Sequence, residues 1–237
     1  QLVIFEGGLK RGPSPSGTYY DPVDIAPYLT KGSNTIAILL WHFGKDGFSH
    51  INSGKAALLF EAIAPGLEIV SDASWQCALY EAYQNTEAPF PNYRMPESNI
   101  RFDARQAITN WNRTSFEGSL PGAVCVGKAG KAPFGDLVER PIPQWKNSGL
   151  LSYVSVRESL RGDTLFCRLP YNAQITPYLK VEAEAGKTIH IRMDNYEGGS
   201  ERNVRAEYIT REGEQEYESF GWMNGHEVLY VVPAGVE

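Results

Sequence analysis

His42, Asp46 and His50 stand four residues apart, the first place in this chain where residue type and spacing suggest chemistry. On a helix that spacing would align three metal ligands on one face. Gly44 and Gly47 interrupt the segment, and glycine is a poor helix former. The stretch is therefore read as a surface loop after a strand, with no metal site. The alternative is a structural calcium ion held by loop carboxylates and carbonyls, for which the spacing assigns no ligands. No other cofactor is implied.

Glu212, Glu214, Glu216 and Glu218 form the densest acidic grouping and fall on one face of an expected strand. Glycoside hydrolysis needs two carboxyl groups whose pKa values are pushed apart, and nothing apolar beside these four would separate them. They read as a solvated face. His190 alternates with Ile189 and Ile191 and is expected on the exposed side of its strand. Neither a GxSxG elbow nor a phosphate loop occurs, and no catalytic residue is assigned. Cys77, Cys125 and Cys167 are far apart and lack CxxC spacing, so they read as small buried hydrophobes, with one disulfide left open. Asn112-Arg113-Thr114 is a glycosylation sequon, which matters only in a secretory setting.

Aromatic residues are the remaining chemical signal: five tryptophans and 13 tyrosines. A flat ring packs against the C–H face of a pyranose while neighbouring polar groups bond its hydroxyls. Trp41 ends an expected strand and leads into the His42–His50 loop. Trp41, His42 and Asp46 are therefore the candidate carbohydrate-binding residues, although tryptophan in a sandwich also serves as core.

The elements that would position these residues are strands. The chain has 237 residues, 42% of them hydrophobic and 21% charged, which suits folded domains with a substantial core. Its net charge of −6 argues against nucleic acid as a partner. No apolar run approaches the ~18 residues of a membrane span. Gln1 opens directly on the apolar Leu2–Phe5 with no leader pattern, so the chain is expected to be a piece cut from a longer one. Tyr19–Leu40 suggests a Pro22-started turn capped by Asp21 and stopped by Pro27, then a turn at 31–34. A strand with Ile36, Ile38 and Leu40 on one face should follow. Further strands are expected at Leu67–Ser71 and Asn99–Ile108, the latter with Ile100, Phe102 and Ala104 on one face. Leu179, Val181 and Ala183, then Ile189, Ile191 and Met193, suggest a hairpin about Gly186. Two prolines at Pro141 and Pro143 mark a linker. The expected organisation is all-β, with one sandwich over residues 1–140 and a second over 141–237.

Five motifs, in order, resemble the non-catalytic β-domains of bacterial α-L-rhamnosidases of the large inverting family. Tyr19–Leu40 is similar to the family's N-terminal galactose-binding-like module. Ser71-Asp72-Ala73-Ser74-Trp75 is similar to its (S/T)-D-x-S-W strand. Ile100–Arg105 resembles a strand that usually reads G-E-x-Y-D-A-R, with Asn99-Ile100 replacing Gly-Glu here. Arg140-Pro141-Ile142-Pro143 resembles the crossing into the next sandwich, and Ala206–Thr210 through Tyr230–Pro233 resembles the last strands before the catalytic barrel. The resemblance implies a jelly-roll-like first domain, truncated at its N-terminus. It implies a parent enzyme that removes terminal α-L-rhamnose from plant glycans, its acid and base in an (α/α)₆ barrel absent from this sequence. It further implies two partners, a rhamnose-containing glycan and the catalytic domain of the same polypeptide, in an extracellular or periplasmic setting. The chain by itself would then be inactive, binding carbohydrate or scaffolding the barrel. An unrelated carbohydrate-binding or adhesin sandwich is the alternative.

Overall fold

Strands carry nearly all the regular structure, as β-branched and aromatic residues punctuated by glycine and proline favour. The computed structural model describes residues 12–14, 16–44, 46, 52, 54–86, 99–196 and 204–237, without the side chain of Tyr196. Among them lie β1 (Gly17–Tyr20), β2 (Glu61–Ala64), β3 (Leu67–Val70), β4 (Tyr83–Asn85), β5 (Ile100–Asp103), β6 (Asp136–Glu139) and β7 (Ser155–Glu158). They continue with β8 (Thr164–Ile175), β9 (Tyr178–Ala183), β10 (Thr188–Met193), β11 (Ala206–Ile209), β12 (Gly213–Glu218) and β13 (Met223–Val231). Helical turns among the described residues are short 3₁₀ pieces, and none is long and apolar enough to cross a membrane. The fold is all-β.

The chain forms two compact units, Gln1–Leu79 with Thr109–Trp145, and Tyr80–Ile108 with Lys146–Glu237. In the first, β1 pairs in parallel with β6, and β2 pairs with β3 across a tight turn. Pro65 fits the first turn position, and Gly66, at φ 75°, supplies the left-handed second one. Trp75 packs on Phe60 at 5.3 Å and donates its indole N–H to Val70 O at 2.9 Å.

Two expectations for this unit are corrected. The first turn sits at Ala26–Tyr28, where Asp24 Oδ1 accepts from Ala26 N at 3.0 Å, and Pro27 lies inside it. Proline is tolerated there because the first amides of a turn have no internal partner to lose. Asp21 instead pairs with Arg140 at 2.6 Å. The strand expected at Ile36–Leu40 does not form. Residues 33–44 have no ladder partner, and Ile38 and Leu40 are exposed. Alternation supplies an apolar face, but a strand also needs a neighbour.

In the second unit a seven-stranded sheet runs β4-β5-β11-β10-β13-β8-β7, and a two-stranded sheet pairs β12 with β9. Ile189, Ile191 and Met193 alternate inward on β10, beside Tyr208 on β11 and Val228 and Tyr230 on β13. Leu179 and Tyr217 enter the same apolar cluster from the smaller sheet. Tyr217 stacks at 4.9 Å on Phe102 and 4.8 Å on Tyr208. The hairpin expected from β9 to β10 is therefore a crossing between sheets, because both apolar faces turn toward one core and the two strands share no ladder. β5 carries Ile100 and Phe102 inward, and Ala104 follows, buried in a 3₁₀ turn. Glu214, Glu216 and Glu218 lie exposed on β12, between inward Gln215 and Tyr217.

Candidate functional site

Trp41 and His42 line a small open cavity of about 70 Å³ in the first unit, together with Leu40, Lys55, Pro133 and Phe134. Phe134 is buried, and its carbonyl accepts from the Thr18 hydroxyl, so one wall is fixed. Trp41 and His42 are half-buried and remain reachable. The volume lies far below the ~300–1,000 Å³ of a site that encloses a drug-sized ligand. The lining combines an indole, an imidazole and an amine with apolar side chains.

Asp46, the third candidate, bonds to the backbone of Asn52. Its Oδ1 accepts from Asn52 N at 2.8 Å, and Asn52 Oδ1 accepts from Gly54 N at 3.0 Å. It is absent from the cavity lining. His50 lies outside the described residues. Among the described residues no three His, Cys, Asp or Glu side chains form a metal-binding group. Lys55, Pro133 and Phe134 belong to the cavity and carried no signal in the sequence, because they are distant in the chain and ordinary in type.

The second unit holds a charged cluster that alternation did not disclose. Glu207, on β11, is 3% exposed and accepts from Arg205 Nε at 2.7 Å, with Arg205 Nη2 at 2.6 Å. His190 Nδ1 lies 3.6 Å from the same carboxylate, and Arg101 Nε lies 4.0 Å from its second oxygen. Arg101, Glu207 and His190 share a register row across β5, β11 and β10. The expected exposed histidine is thus half-buried against a buried acid, because the outward face of a central strand need not meet solvent. Burial pushes the His190 pKa below its ordinary value, and Glu207 partly offsets the shift. Asp103 likewise accepts from Arg105 Nε at 2.9 Å and Nη2 at 2.7 Å, which holds its carboxyl below the usual range.

All three cysteines are free, with Cys77 and Cys125 exposed and Cys167 buried. The reading of all three as buried hydrophobes is therefore corrected for two of them. Both lie on segments outside the well-packed core, where spacing gives no warning of exposure.

The fold is that of a known class of β-rich domain. An α-L-rhamnosidase from Dictyoglumus thermophilum is similar in structure at a TM-score of 0.53 and 23% identity. The match covers 72% of this chain and 19% of that protein, so this chain spans about a fifth of its length. No family model matches the sequence. No curated protein matches it either. The likeness is one of fold.

Proposed function

We propose that this chain is the accessory β-sandwich region of an α-L-rhamnosidase-type glycoside hydrolase, and that its first unit contacts carbohydrate through Trp41 and His42. The observation that carries the sugar contact is the half-buried Trp41 beside His42 and Lys55 at an open cavity with a fixed wall. The likeness to part of a rhamnosidase supports the parent class. In such a parent, a carboxylic acid protonates the leaving oxygen while a carboxylate activates water, giving inversion. The present chain contributes neither group. Its ligand is a rhamnose-containing glycan, met outside the cell or in the periplasm. The galactose-binding-like description of the first unit and a structural calcium belong to the same proposal.

A second reading makes the chain a scaffold for the catalytic domain. One observation favours it: Leu150, Leu151, Val154, Val156 and Leu160 stand 57–109% exposed along and beside the edge strand β7. A run of apolar side chains at a sheet edge is a surface that ordinarily has a partner.

The test is a titration of the 5-fluorotryptophan-labelled chain with L-rhamnose and rhamnose-containing oligosaccharides, followed by fluorine NMR. The Trp41 resonance, identified by its loss in Trp41→Ala, should shift saturably at millimolar sugar. The other four tryptophan signals should keep their positions in the variant, which shows that it still folds. A Trp41 signal unmoved by every sugar would discard the contact and leave the scaffold reading.

A further inference from the structure

The large sheet of the second unit ends on β7, and that edge is weakly guarded. Edge strands are ordinarily blunted by charged side chains, a proline or a covering segment. The basic residue of β7, Arg157, does not serve in this way. Its guanidinium lies 3.8 Å from the centre of the Phe166 ring, and its Nη2 donates to Glu227 at 3.1 Å, so it is folded back over its own sheet. Ser155–Glu158 contains no proline, and the one other charge on the strand is Glu158, its last residue.

The backbone and the apolar side chains are both open to a partner. Ser159 donates its amide to Thr164 O in register with the β7–β8 ladder, so by alternation Val156 and Glu158 turn their amides and carbonyls to the open side. Val156 lies opposite the buried Cys167, on the core face of the sheet, and is nevertheless 57% exposed. The cover over that face therefore stops short of β7. Leu150, Leu151 and Val154 lead into the strand and Leu160 follows it, all exposed.

We infer that this edge pairs with the same edge of a second copy of the chain, β7 against β7 in antiparallel, about a two-fold axis at Val156. The strand is complementary to itself in that register. Val156 meets the partner's Val156 through two reciprocal N–H···O bonds. Arg157 stands opposite the partner's Ser155, and Glu158 opposite the partner's Val154, so no like charges face each other. Covering the five apolar residues would remove about 650 Å² of surface from each copy, or about 1,300 Å² from the pair, within the ~1,200–2,000 Å² of stable interfaces. The scaffold reading gives the same edge to the catalytic domain, and the two occupants exclude each other.

The experiment is analytical ultracentrifugation of the full chain over about 1–100 µM, a range suited to an interface at the small end of the stable class. A concentration-dependent equilibrium between monomer and dimer is expected. Val156→Asp sets two carboxylates against each other on the axis and should weaken dimerisation at least about a hundredfold. Val156→Pro removes the outward amide, leaves the β7–β8 bonds in place and should act in the same direction. Val124→Asp, at an exposed apolar position of the first unit, should leave the equilibrium unchanged. Because Val156 is exposed on an edge strand, both of its variants should keep the far-ultraviolet circular dichroism of the unsubstituted chain. A chain that stays monomeric across the range would overturn the inference and leave the edge to the catalytic domain. A dimer undisturbed in folded Val156→Asp and Val156→Pro would overturn it as well, by moving the contact to another surface.

Discussion

Replacing Glu207 by glutamine should destabilise the second unit far more than its place on an outward strand position suggests. Glu207 and Arg205 are both almost fully buried, with nitrogen-to-oxygen distances of 2.6 and 2.7 Å. At an effective dielectric near 20, unit charges about 2.7 Å apart attract by about 6 kcal/mol. Desolvating the two ions costs several kcal/mol each, so the net value of the intact pair is small. Removing one member is different, because the surviving ion keeps its desolvation cost and loses its counter-charge. Glu207→Gln should cost about 3 kcal/mol, and Arg205→Met a similar amount. The double replacement Arg205→Met with Glu207→Leu removes both charges and should cost about 1 kcal/mol or less. Urea unfolding followed by the fluorine signal of a 5-fluorotryptophan at Trp222 reads this directly, since Trp222 lies in the second unit and the other four tryptophans lie in the first. Histidine NMR gives an independent readout. Glu207 raises the His190 pKa against burial, so Glu207→Gln should lower it further. Single variants that cost under about 1 kcal/mol, or a double variant as unstable as the sum of the singles, would refute this account of the cluster.

Two further outcomes follow from neighbouring groups. Because the folded-state pKa of His190 lies below its ordinary value of 6.5, the unfolded chain binds the proton first. Its contribution to stability is complete above about pH 6.5 and is lost as pH falls toward the depressed value, and His190→Gln should flatten that part of a stability-versus-pH curve. Among the thiols, Cys77 and Cys125 are exposed, whereas Cys167 is buried with its pKa pushed up to about 11 by burial first and Glu227 second. A disulfide reagent at neutral pH should consume two thiols quickly and the third only on unfolding, and rapid reaction of all three would contradict the packing around Cys167.

Much of the second unit could be read directly from residue order. The alternation of Thr188–Met193 became β10 with Ile189, Ile191 and Met193 inward, and Ile100, Phe102 and Ala104 took the buried positions expected of them. Alternation reports a face, however, and says nothing of the strand that will lie alongside. It could not show that β9 and β10 belong to different sheets, or that β5 lies in parallel beside β11. Ile36–Leu40 has the pattern of a strand and lacks a neighbour. The charged cluster was hidden for a related reason: Glu207 and His190 occupy outward positions, and outward was equated with wet. At the candidate site, Trp41 and His42 were legible from residue type, but Lys55, Pro133 and Phe134 reach the same cavity only through folding at long range.

The parallel pairing of β5 with β11 also sets a timetable. Phe102 lies opposite Tyr208, so β5 leaves the ribosome roughly a hundred residues before the strand it must join. At about 5–20 residues per second, that interval is about 5–20 s. Throughout it Tyr83 and Phe102, later part of a stacked aromatic core, have no sheet to enter. The first unit draws on Thr109–Trp145 and can close during this wait, while the excursion Tyr80–Ile108 is held over for a domain not yet made. A gene fragment starting at Lys146 would omit β4 and β5 and leave β11 as an unprotected edge with Tyr208 beside it. A chain that has not reached Tyr208 leaves β5 without its β11 partner, and expression of the second unit alone requires Tyr80–Ile108 to be supplied with it.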